Sequence, residues 1–244
     1  MRVERVSLGD AIQGVGREMN DEAIKEVIRS RQIRTIFQPI VNLSDLSIVG
    51  FEALSRGPAN SELESARALF KGANRARLHG QLEQLCRSEA FWAADGQPSS
   101  CKLFLKVSAP SLRDSDLSES PGSVHGIEGP AIGPHQVVLE LSERYAVSDN
   151  DWLRDAVRSL SARGFEFALD NMGSGHNSLN RVVDVRPRFI KLDRSIVQNL
   201  HQSAIDMETV ASYQTVTRRR PSAATHRCPR WPFEPERRAR RSSE

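Results

Sequence analysis

At 244 residues, with 39% hydrophobic and 27% charged residues, the chain is long enough for one large α/β domain or two small ones and has the balance of a soluble globular protein. No apolar run reaches membrane-spanning length, and the charged N-terminus lacks the apolar core of a signal peptide. The net charge of +3 is concentrated in the tail: residues 211–244 hold nine Arg and three Glu, which leaves −3 for residues 1–210 and excludes the folded body as a basic nucleic-acid surface.

Residues 1–29 read as a charged leader that includes a helix, and residues 30–210 as the folded domain. Six apolar runs follow in order: "TIFQPIVNL" (35–43), "SIVGFEAL" (47–54), "KLFLKVS" (102–108), "VVLELSE" (137–143), "FEFALDN" (165–171) and "RFIKLD" (188–193). Each is rich in Val, Ile, Leu and Phe, as strands buried in an α/β layer are. The first two runs are joined by a turn too short for a crossover, so that pair is predicted antiparallel. Between later runs lie helices. "HGQLEQLCRSEAFWAA" (79–94) places Leu82, Leu85 and Trp92 on roughly one face. In "SDNDWLRDAVRSLSARG" (148–164), Leu153, Ala156, Val157 and Leu160 recur at helical spacing, with Ser148 or Asp149 to cap the start and Gly164 the end. Strand–helix alternation with few hairpins predicts a mostly parallel sheet or barrel. Residues 115–135 are rich in Gly, Pro and Ser and read as a loop. Residues 211–244, with four prolines and dense Arg, have no apolar period and are expected to be disordered.

The three cysteines, Cys86, Cys101 and Cys228, form no C-x-x-C pair, so no disulfide framework is expected and a reduced, cytoplasmic setting fits. The six histidines show no zinc spacing. "GSG" at 173–175 lacks the rest of a phosphate-binding fingerprint.

Five of the runs carry a charged residue late in an apolar stretch: Glu52, Lys106, Glu140, Asp170 and Lys191. Period 2 allows any one of them to point outward to water. Five together are better explained by convergence, because buried charges are costly unless paired or bound to metal. The C-terminal ends of parallel strands in a β/α barrel are where such residues meet. Three carboxylates there suit Mg²⁺ or Mn²⁺, with a lysine near a water or phosphate oxygen, which is the chemistry of metal-assisted phosphodiester hydrolysis.

"IFQPIVNLSDLSIVGFEALSRGP", "VVLELSER", "ALDNMGSGHNSL" and "FIKLDRSIV" together resemble the EAL family, bacterial phosphodiesterases that linearise cyclic di-GMP, over roughly residues 30–205. The resemblance implies a modified TIM-type (β/α) barrel with an antiparallel first strand. It implies Glu52, Glu140 and Asp170 as ligands for Mg²⁺ or Mn²⁺, with Glu52 and Lys191 as catalytic groups, Lys191 lying beside the attacking water. Gln38, Arg56 and Asp193 would lie on the substrate side, and Glu143 would anchor the loop "NMGSGHNSL". The partners implied are cyclic di-GMP and a second copy of the chain; a protein partner is a further expectation, and specific nucleic-acid binding is not one.

Departures from the family pattern shape the expectation of function. Lys106 stands where the family has Asn, and an ammonium has no lone pair for a metal. At about 4 Å and an effective dielectric near 20, its repulsion of a dication is on the order of 8 kcal/mol as an upper figure. Lys106 can also neutralise the carboxylates and stand in for the metal. Asn171 replaces the acid that serves a second metal in the family; as a metal residue it keeps an oxygen but loses the charge, which weakens a two-metal site. About six of eight barrel strands are found, so the barrel is expected to be incomplete, and the tail is expected to be out-of-frame or eroded coding sequence. The expected function is therefore an EAL domain with weak or absent hydrolysis of cyclic di-GMP to linear pGpG. The alternatives are an inactive cyclic di-GMP sensor or protein-binding regulator, and a non-functional truncated product.

Overall fold

All six apolar runs become strands of one sheet in the computed structural model, which describes residues 21–42, 45–96, 98, 100–113, 117, 132–142, 151–172 and 178–192. They are β1 (Arg34–Val41), β2 (Ile48–Arg56), β3 (Lys102–Val107), β4 (Val137–Ser142), β5 (Glu166–Met172) and β6 (Phe189–Leu192), hydrogen-bonded in sequence order. The β1–β2 pair is antiparallel, as its short connection requires, and every later pair is parallel. The sheet is an incomplete TIM-like barrel with a reversed first strand. Gly50 is required where β2 meets β3: a Cβ there would lie 2.1 Å from the Lys102 carbonyl oxygen.

Helices cover the outer face. The first, α1, occupies residues 21–29; α2 (Ala66–Arg75) and α3 (His79–Ala93) separate β2 from β3; α4 (Asp151–Ala162) separates β4 from β5; and α5 (Ser178–Val185) separates β5 from β6. Ser65 caps α2 by accepting a hydrogen bond from the Ala68 N–H at 3.2 Å. Gly164 ends the α4 region at φ +105°, where its N–H donates to the Ser161 carbonyl at 3.0 Å.

Strand alternation sorts the side chains into two layers. Leu103, Leu105 and Val107 of β3, Leu139 and Leu141 of β4, and Phe167 and Leu169 of β5 pack outward against Phe91 of α3, Leu153, Val157 and Leu160 of α4, and Val182 of α5. The residues between them, Phe104, Val138 and Ala168, form an inner apolar floor with Ile40 and Phe189. Burying each Leu or Phe in these layers stabilises the fold by about 1.5–3 kcal/mol. Ile24 and Val27 of α1 are buried with Ile33, Leu69 and Leu82 in a second cluster.

Three expectations change, and one helix is added. Trp92 is 39% exposed, because α3 buries the stripe through Leu82, Cys86 and Ala90 and turns Trp92 toward its edge. The loop "NMGSGHNSL" is shorter than read: Asn171 and Met172 finish β5, and Ser178 opens α5. Helix α2 was not anticipated, since its buried residues Leu69, Gly72 and Ala73 make only a faint apolar stripe. Cys86 is a free buried thiol, whereas Cys101 is disulfide-bonded. Most of the 115–135 segment and all of the 211–244 tail lie outside the described residues.

Candidate functional site

The inner face becomes charged one step above its apolar floor. Two residues after Phe104, Val138, Ala168 and Phe189 come Lys106, Glu140, Asp170 and Lys191, and alternation puts each on the same face as its floor residue. Glu52 of β2 is paired with Phe104 of β3 in the parallel register and joins them from the neighbouring strand. Five charged side chains from five strands thus meet at the C-terminal strand ends. The three acids are buried, at 8% exposure for Glu52, 1% for Glu140 and 7% for Asp170.

Two ammonium groups divide the carboxylate oxygens between them. Lys191 Nζ lies 2.8 Å from Glu52 Oε2, 2.8 and 2.9 Å from the two oxygens of Glu140, and 3.6 Å from Asp170 Oδ1. Lys106 Nζ lies 3.0 Å from Asp170 Oδ2 and 3.3 Å from Glu52 Oε1. All six oxygens of the three acids therefore face an ammonium. Asn171, at φ +59°, adds a donor, with Nδ2 3.2 Å from Asp170 Oδ2.

The electrostatics follow from burial and crowding. Burial pushes the Glu140 carboxyl up to about 7; Lys191 opposes that rise, while Glu52 and Asp170 add to it. Burial disfavours both lysine charges, but the facing carboxylates outweigh it. Asp170 leads at Lys106 and Glu140 at Lys191, and each lysine stays above its ordinary pKa. The two ammoniums are firmly charged, and burial brings Glu140 close to taking a proton at neutral pH.

Gln38 and Arg56 sit at the rim. Gln38 of β1 is directly opposite Glu52 in the antiparallel register, so both side chains leave the sheet on one face. Arg56 closes β2 four residues past Glu52, and its Nη1 donates to the Ser55 carbonyl at 2.9 Å. Asp193 and Glu143 lie outside the described residues.

A support behind β3 escaped sequence reading. Glu83 of α3, buried at 4% exposure, accepts the Ser108 N–H at 2.5 Å and the Ser108 hydroxyl at 2.7 Å. Arg87 Nη1 lies 3.3 Å from Glu83 Oε1. This network fixes the turn just beyond Lys106. Its signal was the presence of Glu83 and Arg87 on an otherwise apolar helix face, one turn apart.

Chemically, three acids are the oxygen donors a hard dication takes. Here their oxygens are aimed at ammoniums instead, and among the described residues no group of His, Cys, Asp and Glu has the arrangement of a metal centre. The residues as they stand do not fit a resident dication.

The chain is 27% identical over 171 residues to the blue light- and temperature-regulated antirepressor BluF of Escherichia coli K12, across 68% of this chain and 40% of that protein. Its fold resembles the PaMucR phosphodiesterase in its cyclic di-GMP complex, with a TM-score of 0.68 at 22% identity over 82% of this chain and 83% of that one. It also resembles the Klebsiella pneumoniae BlrP1 manganese/cyclic di-GMP complex, with a TM-score of 0.63 at 23% identity over 75% of this chain and 45% of that one. The chain spans 35–40% of the length of the first curated relatives it matches. The EAL domain model matches residues 21–219, and the chain belongs to the EAL domain family.

Proposed function

We propose that this EAL domain takes cyclic di-GMP at the mouth of its incomplete barrel and hydrolyses it weakly or not at all. The observation that carries this reading is the division of all six carboxylate oxygens between Lys106 and Lys191. A dication entering the cluster would have to displace an ammonium from Glu52 and Asp170 against like-charge repulsion. Hydrolysis by water on a resident Mg²⁺ or Mn²⁺ is thus not the chemistry these residues are arranged for.

Ligand capture needs less. Arg56 offers a guanidinium fork at the rim, suited to a phosphodiester oxygen. Gln38 offers an amide beside Glu52 on the same face. The relatives support the choice of ligand, since the PaMucR and BlrP1 structures hold cyclic di-GMP. Calorimetry with cyclic di-GMP, run with and without Mn²⁺ beside a turnover assay, tests the proposal. Binding in chelator without turnover is the expected result. Turnover with Mn²⁺ that Glu52→Ala abolishes would overturn it.

A second reading, a regulator that binds another protein, draws on the same ammonium-filled cluster and on the likeness to a protein named an antirepressor. A pull-down whose yield changes with cyclic di-GMP separates the two.

A further inference from the structure

We propose that Lys106 is a built-in counter-ion that takes the place of a divalent cation, so that the strand ends are held together without metal. The inference rests on the EAL reading above but concerns what neutralises the acids rather than what ligand they face.

The geometry shows a division of labour. Lys191 on β6 covers both oxygens of Glu140 and one each of Glu52 and Asp170. One oxygen of Glu52 and one of Asp170 remain, and Lys106 Nζ lies 3.3 and 3.0 Å from these two. Lys106 stands on β3; Glu52 comes from its neighbour β2, and Asp170 from β5, beyond β4 on the other side. One ammonium therefore ties strands on either side of its own, as a bridging cation does. The charge count agrees. With all three acids ionised the cluster sums to −1, and without Lys106 to −2, so Lys106 supplies one of the two positive charges that a dication would bring.

Lys106 also has the right accessibility for this role. Its side chain is 54% exposed while the acids it meets are about 10% exposed, so its ammonium closes the cluster from the solvent side. An entering dication would approach from that side and meet the ammonium first. Asn171, an amide aimed at Asp170 Oδ2, adds a donor rather than a competing acid.

The test uses the full chain stripped with chelator, with Mn²⁺ as the probe. Bound Mn²⁺ is read by electron paramagnetic resonance and stability by thermal melting. The wild-type chain should hold no Mn²⁺ and melt at the same temperature with or without it. Lys106→Asn should melt lower in chelator and recover with Mn²⁺, and adding Glu52→Gln should abolish both the recovery and the Mn²⁺ signal. At an ion concentration about 100-fold above Kd the folded-to-unfolded ratio should rise about 100-fold. A Lys106→Asn chain that folds only with Mn²⁺ supports the proposal equally. Wild-type chain that binds Mn²⁺ through Glu52 overturns it, as does folded Lys106→Asn that ignores the ion. If Lys106→Asn folds under neither condition, Lys106→Gln and the wild-type titration decide on the same criteria. Failure of wild-type chain to bind cyclic di-GMP would defeat the ligand reading and leave these metal results unaffected.

Discussion

Lys191 Nζ is forked across Glu140, 2.8 Å from one carboxylate oxygen and 2.9 Å from the other, and the acid side chain beneath it has no exposed surface. The pair joins β4 to β6 across β5. Removing Lys191 leaves a buried carboxylate without its ammonium wherever Glu140 is ionised, so Lys191→Met should destabilise the fold by up to about 3–5 kcal/mol above pH 7 and by less below it, where Glu140 takes a proton. Adding Glu140→Gln to that variant should recover part of the loss, because the stranded charge goes with it. Urea denaturation of the two single variants and the double variant measures the coupling directly, and additive losses would contradict it.

Glu140 also sets a pH signature. Its folded carboxyl titrates near 7 against an ordinary 4.5, chiefly because it is buried. The folded state therefore binds the proton more tightly than the unfolded state. The resulting stability is fully present below about pH 4.5 and is lost as pH rises to about 7. The span is at most on the order of 3 kcal/mol. Wild-type stability should fall between pH 5 and 8 relative to Glu140→Gln, which has no proton to lose there. Parallel slopes for the two proteins would show that Glu140 does not carry the effect.

The Glu83–Ser108 contact predicts a defect away from the acid cluster. Glu83 accepts two hydrogen bonds from Ser108 and faces buried Arg87, at 2% exposure. Glu83→Ala should cost about 3–5 kcal/mol, because it takes the carboxylate away from a buried guanidinium and the acceptor away from Ser108. Glu83→Gln, which keeps one acceptor oxygen, should cost roughly half, as a charged hydrogen bond is worth about 1.5–3 kcal/mol. Glu26→Ala is the control: Glu26 pairs with Arg29 on the exposed face of α1, where such pairs contribute about 0–1 kcal/mol. Chemical denaturation of the three variants checks the order.

These residues also show what the sequence could and could not convey. The strands were legible because a buried parallel sheet demands dense Val, Ile, Leu and Phe, and the five late charges stood out against that background. Which partner each charge takes was not legible. The resemblance sets Lys191 beside an attacking water but names no protein partner for it; its ammonium spans Glu52 and Glu140 on other strands, 139 and 51 residues away. Pairings at that separation depend on sheet closure, which no local period encodes. The Glu83–Ser108 support is hidden for the same reason, since a helix and a strand end must dock before the contact exists. Helix α2 was missed on different grounds: Gly72 and Ala73 are buried by virtue of being small and contribute little to an apolar pattern.

Arg56 is the residue on which ligand capture should depend most. It ends β2 four positions beyond Glu52, half-buried at the rim, and its Nη1 meets only a neighbouring backbone carbonyl within the described contacts. A guanidinium set there can receive a phosphodiester oxygen without disturbing the lysines below. Losing one charge-assisted hydrogen bond costs about 1.5–3 kcal/mol, or roughly 10- to 150-fold in affinity. Arg56→Ala should weaken cyclic di-GMP binding by that factor and leave the melting temperature nearly unchanged, because among the described residues no buried acid is paired with it. Arg56→Lys should recover only part of the affinity, since a point charge lacks the planar fork. Calorimetry on the three proteins at matched ionic strength gives the comparison; equal affinities would remove Arg56 from the ligand site.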